Sequence, residues 1–569
     1  MNTYRVFFIK EKTEVTVKEG TTVLEAERIA GLSPDAPCGG AGKCGKCMVK
    51  INGAVEKACQ TKITTDIEVE AIEKKSEHRI LVKGTERAVT FSPELEILDI
   101  EIPPCTVGEN SSDWTRLCEA IKSCRKKDIF FQPKLEILPV ISRLIKEKNG
   151  KARAIISGDQ ILELKEQDDR PVLMAAFDIG TTTVAGYLLD GKTGEQLATA
   201  SALNTQTEYG ADVIMRANYS LEHSTEELST CIRELLRKLI GTLCEAAKKS
   251  PEDIYQVSVV GNTCMHHLFL GIVPDSLVHA PYNPAISQGL MFPAEKFHLG
   301  IHPGGQLVAL PVIAGFVGAD TVACLLAVNL EEEKKMTLMI DIGTNGEMVL
   351  AAGDHFLVSS VAAGPAFEGG NISCGMPGVP GAVCRAVLFG KNNMVTKTIG
   401  NKPAIGLCGT GIIDVMYELV RHHIVDTQGI LGEPWFEKGF PVVPGKIYFT
   451  QEDIRQVQMA KAAICAGLEV LLQKSNISHE QIKKVYVAGG FGMGLDMEKA
   501  LGIGLLPIGL RGKLTPVGNS ALEGAARCLT HSKESSDMQP QEIAAISHEI
   551  NLADTPEFQE LYLKHMQFC

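Results

Sequence analysis

One pattern occurs twice in this chain: an apolar run that ends in Asp-Ile-Gly-Thr and leads at once into a second apolar run. The first copy reads Leu173-Met-Ala-Ala-Phe-Asp178-Ile-Gly180-Thr181-Thr182-Thr183 and continues as VAGYLLD. The second reads Leu338-Met-Ile-Asp341-Ile-Gly343-Thr344-Asn345-Gly346-Glu347 and runs on through MVLAAG. Each copy predicts a buried strand, a tight turn and a returning strand. At such turns the N–H and hydroxyl groups of Gly180, Thr181, Thr182 and Thr183, and of Gly343, Thr344, Asn345 and Gly346, can cradle phosphate oxygens. The strand-end carboxylates, Asp178 and Asp341, are then placed to hold hydrated Mg²⁺ or to orient an attacking nucleophile. One copy would be weak evidence. Two copies, about 160 residues apart, argue for a duplicated fold with one nucleotide between its halves. A third element supports this: the strand-like Lys484-Val-Tyr-Val-Ala runs into Gly489-Gly490-Phe491-Gly492, where the absence of side chains would let an adenosine lie flat on the backbone. Before it, residues 453–473 predict a long amphipathic helix with Ile454, Val457, Ile464, Leu468 and Leu471 inward.

The N-terminus carries a second constraint. Of 17 cysteines, four fall within the first sixty residues: Cys38, Cys44, Cys47 and Cys59, spaced C-x5-C-x2-C-x11-C. Strands are predicted at 4–9, 14–17 and 48–51, with a helix over 21–30 capped by Thr21 or Thr22, which fits the start of a β-grasp domain. Ile67, Val69 and Ala71 alternate as a closing strand. Three thiols from one loop and a fourth from a separate segment suit a [2Fe–2S] cluster. Glycines at 39, 40, 42 and 45 let the loop wrap closely and aim backbone N–H groups at the sulfurs. A zinc site would more often show two separated C-x2-C pairs, and only Cys44–Cys47 forms one. The spacing differs by one residue from the plant-type pattern and resembles that of adrenodoxin-like ferredoxins.

The rest of the composition mainly excludes. A net charge of −13 argues against nucleic acid as a partner. No apolar run reaches the roughly 18 residues that would span a membrane. The opening MNTYRVFFIKEKTEV is interrupted by charge too soon for a signal peptide, so a cytoplasmic location is expected. Pro93, Pro103 and Pro104 suggest an extended linker, and residues 111–126 a capped helix with Trp114, Leu117, Cys118 and Ile121 on one face. Cys105, Cys118 and Cys124 match no ligand spacing and read as small buried thiols. The runs ARAIIS and QILELKEQ suggest a small middle domain. The expected organisation is a multidomain α+β and α/β chain: a cluster domain at 1–80, a linker at 81–125, a middle domain at 126–170, a duplicated fold at 171–535 (halves 171–335 and 336–535), and a tail at 536–569.

The three glycine-rich elements, in this order, resemble the acetate and sugar kinase/Hsp70/actin superfamily of ATPases. On that resemblance 315–326 and 519–527 are the two connecting helices, and Asp320 on the first completes an acidic Mg²⁺–water shell. The alternative for Asp320 is a helix-end charge in solvent. An adrenodoxin-like [2Fe–2S] domain joined to such an actin-like ATPase fold resembles the reductive activators of corrinoid-dependent enzymes. Supporting strings are Asn204-Thr-Gln206, Gly210-Ala-Asp-Val, Gly261-Asn-Thr-Cys-Met-His-His-Leu, Ala363-Gly-Pro-Ala-Phe-Glu368-Gly, Gly406-Leu-Cys-Gly-Thr-Gly-Ile-Ile-Asp414 and Asp453-Ile-Arg-Gln-Val-Gln. The resemblance implies one [2Fe–2S] cluster, ATP and Mg²⁺. It also implies a corrinoid protein that receives one electron, an external low-potential donor, and a homodimer. Two other readings stay open: a redox-coupled ATPase with a different low-potential acceptor, and a small-molecule kinase, which would leave the cluster domain without a purpose. His266 and His267 invite a cofactor-ligand reading but sit in an apolar context that favours a structural role. Ser359, Ser360 and the loop 364–370 could face a partner.

Overall fold

A computed structural model describes residues 2–10, 12–30, 32, 47–71, 93–125, 130–330, 336–489, 494–531 and 538–568. Cys38 and Cys44, together with Gly490, Phe491 and Gly492, lie outside them.

The N-terminal domain is built on strands β1 (Thr3–Phe8), β2 (Thr13–Lys18), β3 (Met48–Ile51), β4 (Ala54–Lys57) and β5 (Ile67–Ala71), in the order β2-β1-β5-β3-β4. Helix α1 (Val23–Ile29) crosses them. Its start is set by Thr22, whose side chain accepts from the Glu25 N–H while the Glu25 carboxylate accepts from the Thr22 N–H. Val23, Leu24 and Ala26 pack with Val6, Phe8, Val49 and Val69 into a small core. The parallel β1–β5 pair beside antiparallel hairpins is the expected β-grasp topology.

Within the stretch 81–125 expected as a linker, residues 95–101 pair into a sheet and the helix expected over 111–126 is present at Asp113–Arg125, while 81–92 lie outside the described residues. Strand β6 (Leu95–Glu101) pairs antiparallel with β7 (Lys151–Ser157), which pairs with β8 (Gln160–Lys165). Helices α2 (Asp113–Arg125) and α3 (Leu138–Lys148) cover one face through Leu117, Ile121, Ile141 and Leu144. The prolines flank β6 and do not interrupt it, so they mark its ends. On the other face Leu95, Ile155 and Leu162 join the core of the following fold, which is why β7 is buried on both sides. Cys118 is half-buried on α2. Cys105 and Cys124 are exposed, one in a loop and one on the solvent side of the last turn of α2, so the buried-thiol reading fails for both.

The first half of the duplicated fold has β9 (Leu173–Ile179), β10 (Thr183–Asp190), β11 (Gln196–Leu203), β12 (Ile254–Gly261), β13 (Leu290–Pro293) and β14 (Gln306–Ala309), ordered β11-β10-β9-β12-β14-β13. Its helices are α4 (Val213–Glu222), α5 (Thr225–Ala247), α6 (Thr263–Leu270), the single turn α7 (Asp275–Val278) and α8 (Ala319–Val328). The second half has β15 (Thr337–Ile342), β16 (Gly346–Ala352) and β17 (His355–Val361). A small subdomain follows: β18 (Ala382–Phe389), β19 (Asn393–Thr398), β20 (Gly406–Leu407), α9 (Gly409–Arg421), β21 (Phe440–Val443) and β22 (Ile447–Phe449). Then come α10 (Gln451–Lys474), β23 (Lys484–Ala488), α11 (Met497–Gly502), β24 (Leu514–Gly518) and α12 (Ser520–Thr530).

The sheet of the second half runs β24-β23-β15-β16-β17 with β25 (Ser547–Glu549) at its edge. Five strands of each sheet share one plan, with two antiparallel strands on one side of the first strand and two parallel strands on the other. The duplication seen in the two turns therefore extends to the topology. Helices α8 and α12 pack against each other between the sheets, and a Cβ on Gly524 would lie 1.8 Å from the Ala323 carbonyl oxygen. Helix α8 starts at Ala319, later than the expected 315.

Residues after 538 are no loose tail. Helix α13 (Pro540–Ala545) packs on α8, β25 extends the second sheet, and α14 (Pro556–His565) lies along α10. The fully buried Lys461 of α10 donates from Nζ to the carbonyls of His565 and Gln567, 2.6 Å from each.

Candidate nucleotide cleft and cysteine pair

Strand β9 is buried from Leu173 to Phe177 and delivers Asp178, half-buried, to the mouth of the first turn. Gly180 closes that turn with an N–H to the Thr183 carbonyl at 3.0 Å, and a Cβ there would sit 2.6 Å from the same oxygen. In the second turn Gly343 donates to the Asn345 carbonyl at 2.9 Å. The two turns meet. Thr182 Oγ1 and Thr344 Oγ1 are 3.2 Å apart, and both donate to Glu368 Oε2, at 2.9 and 2.5 Å. Thr181 Oγ1 accepts from Asn262 Nδ2 at 3.1 Å.

The connecting helices complete the walls. Asn519, the cap of α12, donates from Nδ2 to Asp178 Oδ2 at 3.2 Å. Cys324 of α8 donates to Asp341 Oδ2 at 3.4 Å and accepts from Ser520 Oγ at 3.3 Å. Asp320, at the start of α8, takes an N–H from Thr321 at 2.7 Å and is not a solvent charge: it faces Asp341 and Asp178. Gly489 has φ +114°, and a Cβ there would come within 2.4 Å of the Ile342 carbonyl oxygen and 3.2 Å of Asp341 Oδ1. Gly489, the first residue of the third glycine element, therefore abuts the second turn and needs to be glycine.

Five carboxylates face this cleft. Burial, then the charges of Asp320 and Asp341, push Asp178 up to about 8. Burial pushes Asp341 up to about 6, with Glu368 repelling it. Asp320 rises by burial with Asp341 repelling it, Glu347 by burial with Asp320 and Asp341 repelling it, and Glu368 by burial against two threonine hydrogen bonds. Such mutual repulsion is the environment a divalent cation relieves. Among the described residues no three His, Cys, Asp or Glu side chains form a direct metal cage.

Glu347 and Glu368 were not among the expected site residues. A signal for Glu347 existed: it stands where the first copy of the motif has Val184, so only one hairpin carries an acid there. Glu368 reaches the cleft from the loop after β17, and no spacing pointed to it. The histidines of α6 serve the fold: His267 Nε2 accepts from the Ala285 N–H at 3.0 Å, and burial pushes His266 down to about 3. Ser359 is buried and donates to the Ile550 carbonyl, so it faces inward.

In the N-terminal domain Cys47 Sγ lies 3.2 Å from Cys59 Sγ, both buried and neither in a disulfide. The Ala58 N–H donates to the Cys47 carbonyl, and the Leu24 N–H of α1 to the Ala58 carbonyl. The start of β3 and the segment after β4 thereby present two thiols to one point.

Four family models match in sequence. Residues 7–76 match the 2Fe-2S iron-sulfur cluster binding domain, 84–170 the RACo linker region, 173–333 the RACo middle region, and 335–569 the C-terminal domain of RACo, the ASKHA domain. The chain is 32% identical to the corrinoid activation enzyme RamQ of Eubacterium limosum, over 99% of each chain. It is 24% identical to the [Co(II) methylated amine-specific corrinoid protein] reductase of Methanosarcina barkeri, over 69% of this chain and 76% of that one. A solved structure, a reductive activator for corrinoid,iron-sulfur protein, matches with a TM-score of 0.79 and 30% identity over 99% of this chain and 98% of the other.

Proposed function

The chain belongs to the RACo family of corrinoid reductive activators, and on that premise we propose that it passes one electron from a [2Fe–2S] cluster to an inactive Co(II) corrinoid protein in a step coupled to ATP hydrolysis. The observation that carries this reading is the meeting of both Asp-Ile-Gly-Thr turns at one acidic cleft, in a chain that also brings Cys47 and Cys59 together. Cys38, Cys44, Cys47 and Cys59 would hold the cluster, which supplies a one-electron couple when bound. The observed pair fits this: both thiols are buried, unbridged and close.

Thr181, Thr182 and Thr344, with the turn N–H groups, would bind the phosphates, and Gly489 would open the floor for the adenosine. Asp178, Asp320 and Asp341 would hold Mg²⁺ through its waters, since this ion keeps much of its hydration shell. Asp341, which takes a hydrogen bond from Cys324 of α8, would orient a water for hydrolysis, with Asp178 the alternative. If the cobalt couple lay about 0.2 V below the cluster, the transfer would be adverse by over three decades at about 59 mV per decade. A domain that binds its partner differently in two nucleotide states can offset several kcal/mol of that. An external low-potential donor, a homodimer and a cytoplasmic location complete the proposal. No helix of the described residues is long and apolar enough to cross a membrane.

The test is anaerobic. Reduced protein is mixed with a Co(II) corrinoid protein, with and without ATP, and the corrinoid spectrum is followed. Co(I) should appear only with ATP. Cys59→Ser should lose the transfer and keep nucleotide binding, whereas Asp341→Asn should keep the cluster's colour and lose hydrolysis. Equal Co(I) formation without ATP would refute the coupling.

A further inference from the structure

Arg28, in the last turn of α1, reaches out of the N-terminal domain and donates from Nη2 to the main-chain carbonyl of Glu208 in the first half of the duplicated fold. Its guanidinium lies 6.0 Å from the centroid of the Tyr209 ring. That ring packs edge-on against Tyr219 at 4.9 Å, and Tyr219 stacks on His223 at 4.4 Å. The platform is held from below, since Tyr219 donates to Glu227 Oε2 at 2.7 Å. A cation over a tyrosine ring, plus a charged hydrogen bond to a carbonyl, is a specific contact.

The platform is also wired to the cleft. Glu208 ends the single helical turn Thr205–Glu208, which Asn204 caps. Asn204 is fully buried; its Nδ2 donates to the Gly180 carbonyl at 2.8 Å and its N–H to the Thr182 carbonyl at 2.9 Å. Arg216, also fully buried, donates from Nη2 to the Thr181 carbonyl at 2.6 Å and from Nε to the Gly210 carbonyl at 2.9 Å. The segment 204–210 is therefore tied to three consecutive residues of the first phosphate turn. Because Arg28 holds a backbone carbonyl as well as facing the Tyr209 ring, its grip depends on the conformation of that segment.

We propose that residues 204–210 form a docking platform for the N-terminal domain of the same chain, and that occupancy of the first phosphate turn sets how firmly Arg28 is held there. Asn204 and Arg216 are the positioning residues that carry the change from turn to platform. The inference rests on the nucleotide reading of the cleft and extends it to the placement of the cluster domain. Linkage is reciprocal, so docking must alter nucleotide affinity by the factor by which nucleotide alters docking.

The experiment is hydrogen exchange on the full cluster-loaded chain, with and without Mg²⁺ and a non-hydrolysable ATP analogue, beside Arg28→Ala and Tyr209→Leu variants. In the parent chain the analogue should protect 178–183 and 341–347 and change exchange in 20–30 and 203–212 by about fivefold or more. Both variants should lose the response in 20–30 and shift the analogue's Kd by a similar factor, with cluster absorbance retained. Protection of both turns without change in 20–30, or variants with an unaltered Kd, would overturn the coupling. Failure of the analogue to protect either turn would remove the nucleotide reading, and the coupling with it.

Discussion

Glu368 is the side chain on which both halves close, since one of its oxygens takes hydrogen bonds from Thr182 and Thr344. The two threonines that would meet phosphate are engaged with a carboxylate, so nucleotide must exchange these bonds for its own. Glu368→Gln keeps the shape and removes the charge. It should lower ATP hydrolysis by up to about a hundredfold, the scale that misplacing the two turns by about an ångström can cost, and weaken nucleotide binding far less. Steady-state phosphate release against a binding titration separates the two effects. Elsewhere, burial alone would raise Glu163, but hydrogen bonds from His302 and from Tyr255 at 2.5 Å bring it down to about 2. A carboxyl depressed on folding contributes stability that is present above its unfolded value near 4.5 and lost as pH falls toward 2. The urea midpoint of the parent chain should therefore drop between pH 5 and 3 more steeply than that of Glu163→Gln.

At the scale of elements, α8 and α12 approach each other closely. Gly524 lets the helices touch backbone to backbone, with the Ala323 carbonyl where a methyl would go. Gly524→Ala must separate them, and overpacking of this kind costs about 1–3 kcal/mol. Denaturant unfolding should show that loss. The same change should also reduce hydrolysis, because α8 brings Asp320 and Cys324 to the cleft and α12 brings Asn519 to Asp178. If hydrolysis stayed at the parent rate, the helix pair would be scaffold without influence on the site.

For the whole molecule the informative segment is the C-terminus. Lys461 is fully buried, and its hydrogen bonds to His565 and Gln567 hold the end of the chain against α10, where Phe568 lies 4.8 Å from its ammonium. A chain ending at 555 would leave that ammonium without these two acceptors. A hydrogen bond to a charged group is worth about 1.5–3 kcal/mol, so the truncated protein should unfold at clearly lower urea. Lys461→Met in the truncated chain should recover part of the loss, since it removes a charge that has lost two of its acceptors. No recovery would mean that the apolar contacts of α14, through Phe558, Leu561 and Tyr562, carry the stabilisation.

Much of the site was legible from local pattern. An apolar run into Asp-Ile-Gly-Thr specifies strand and turn through short-range hydrogen bonds, and Thr22 with Glu25 caps α1 within a few residues. The long helix α10 was equally plain, its five expected inward residues all being fully buried. Prolines misled at 93–104, where they flank a strand whose partner lies some fifty residues on, and the segment after 535 looked loose because its contacts are with α8, β17 and α10. The sequence by itself determined the two Asp-Ile-Gly-Thr turns, the cysteine spacing and the helices beside them, because turn chemistry and apolar period act over a few residues. Only the tertiary structure decided that Thr182 and Thr344 share Glu368, that Asn519 reaches Asp178 across 341 positions, and that Arg28 rests on Tyr209. Those meetings depend on how two sheets and a helix pair stack, and no local preference encodes that distance.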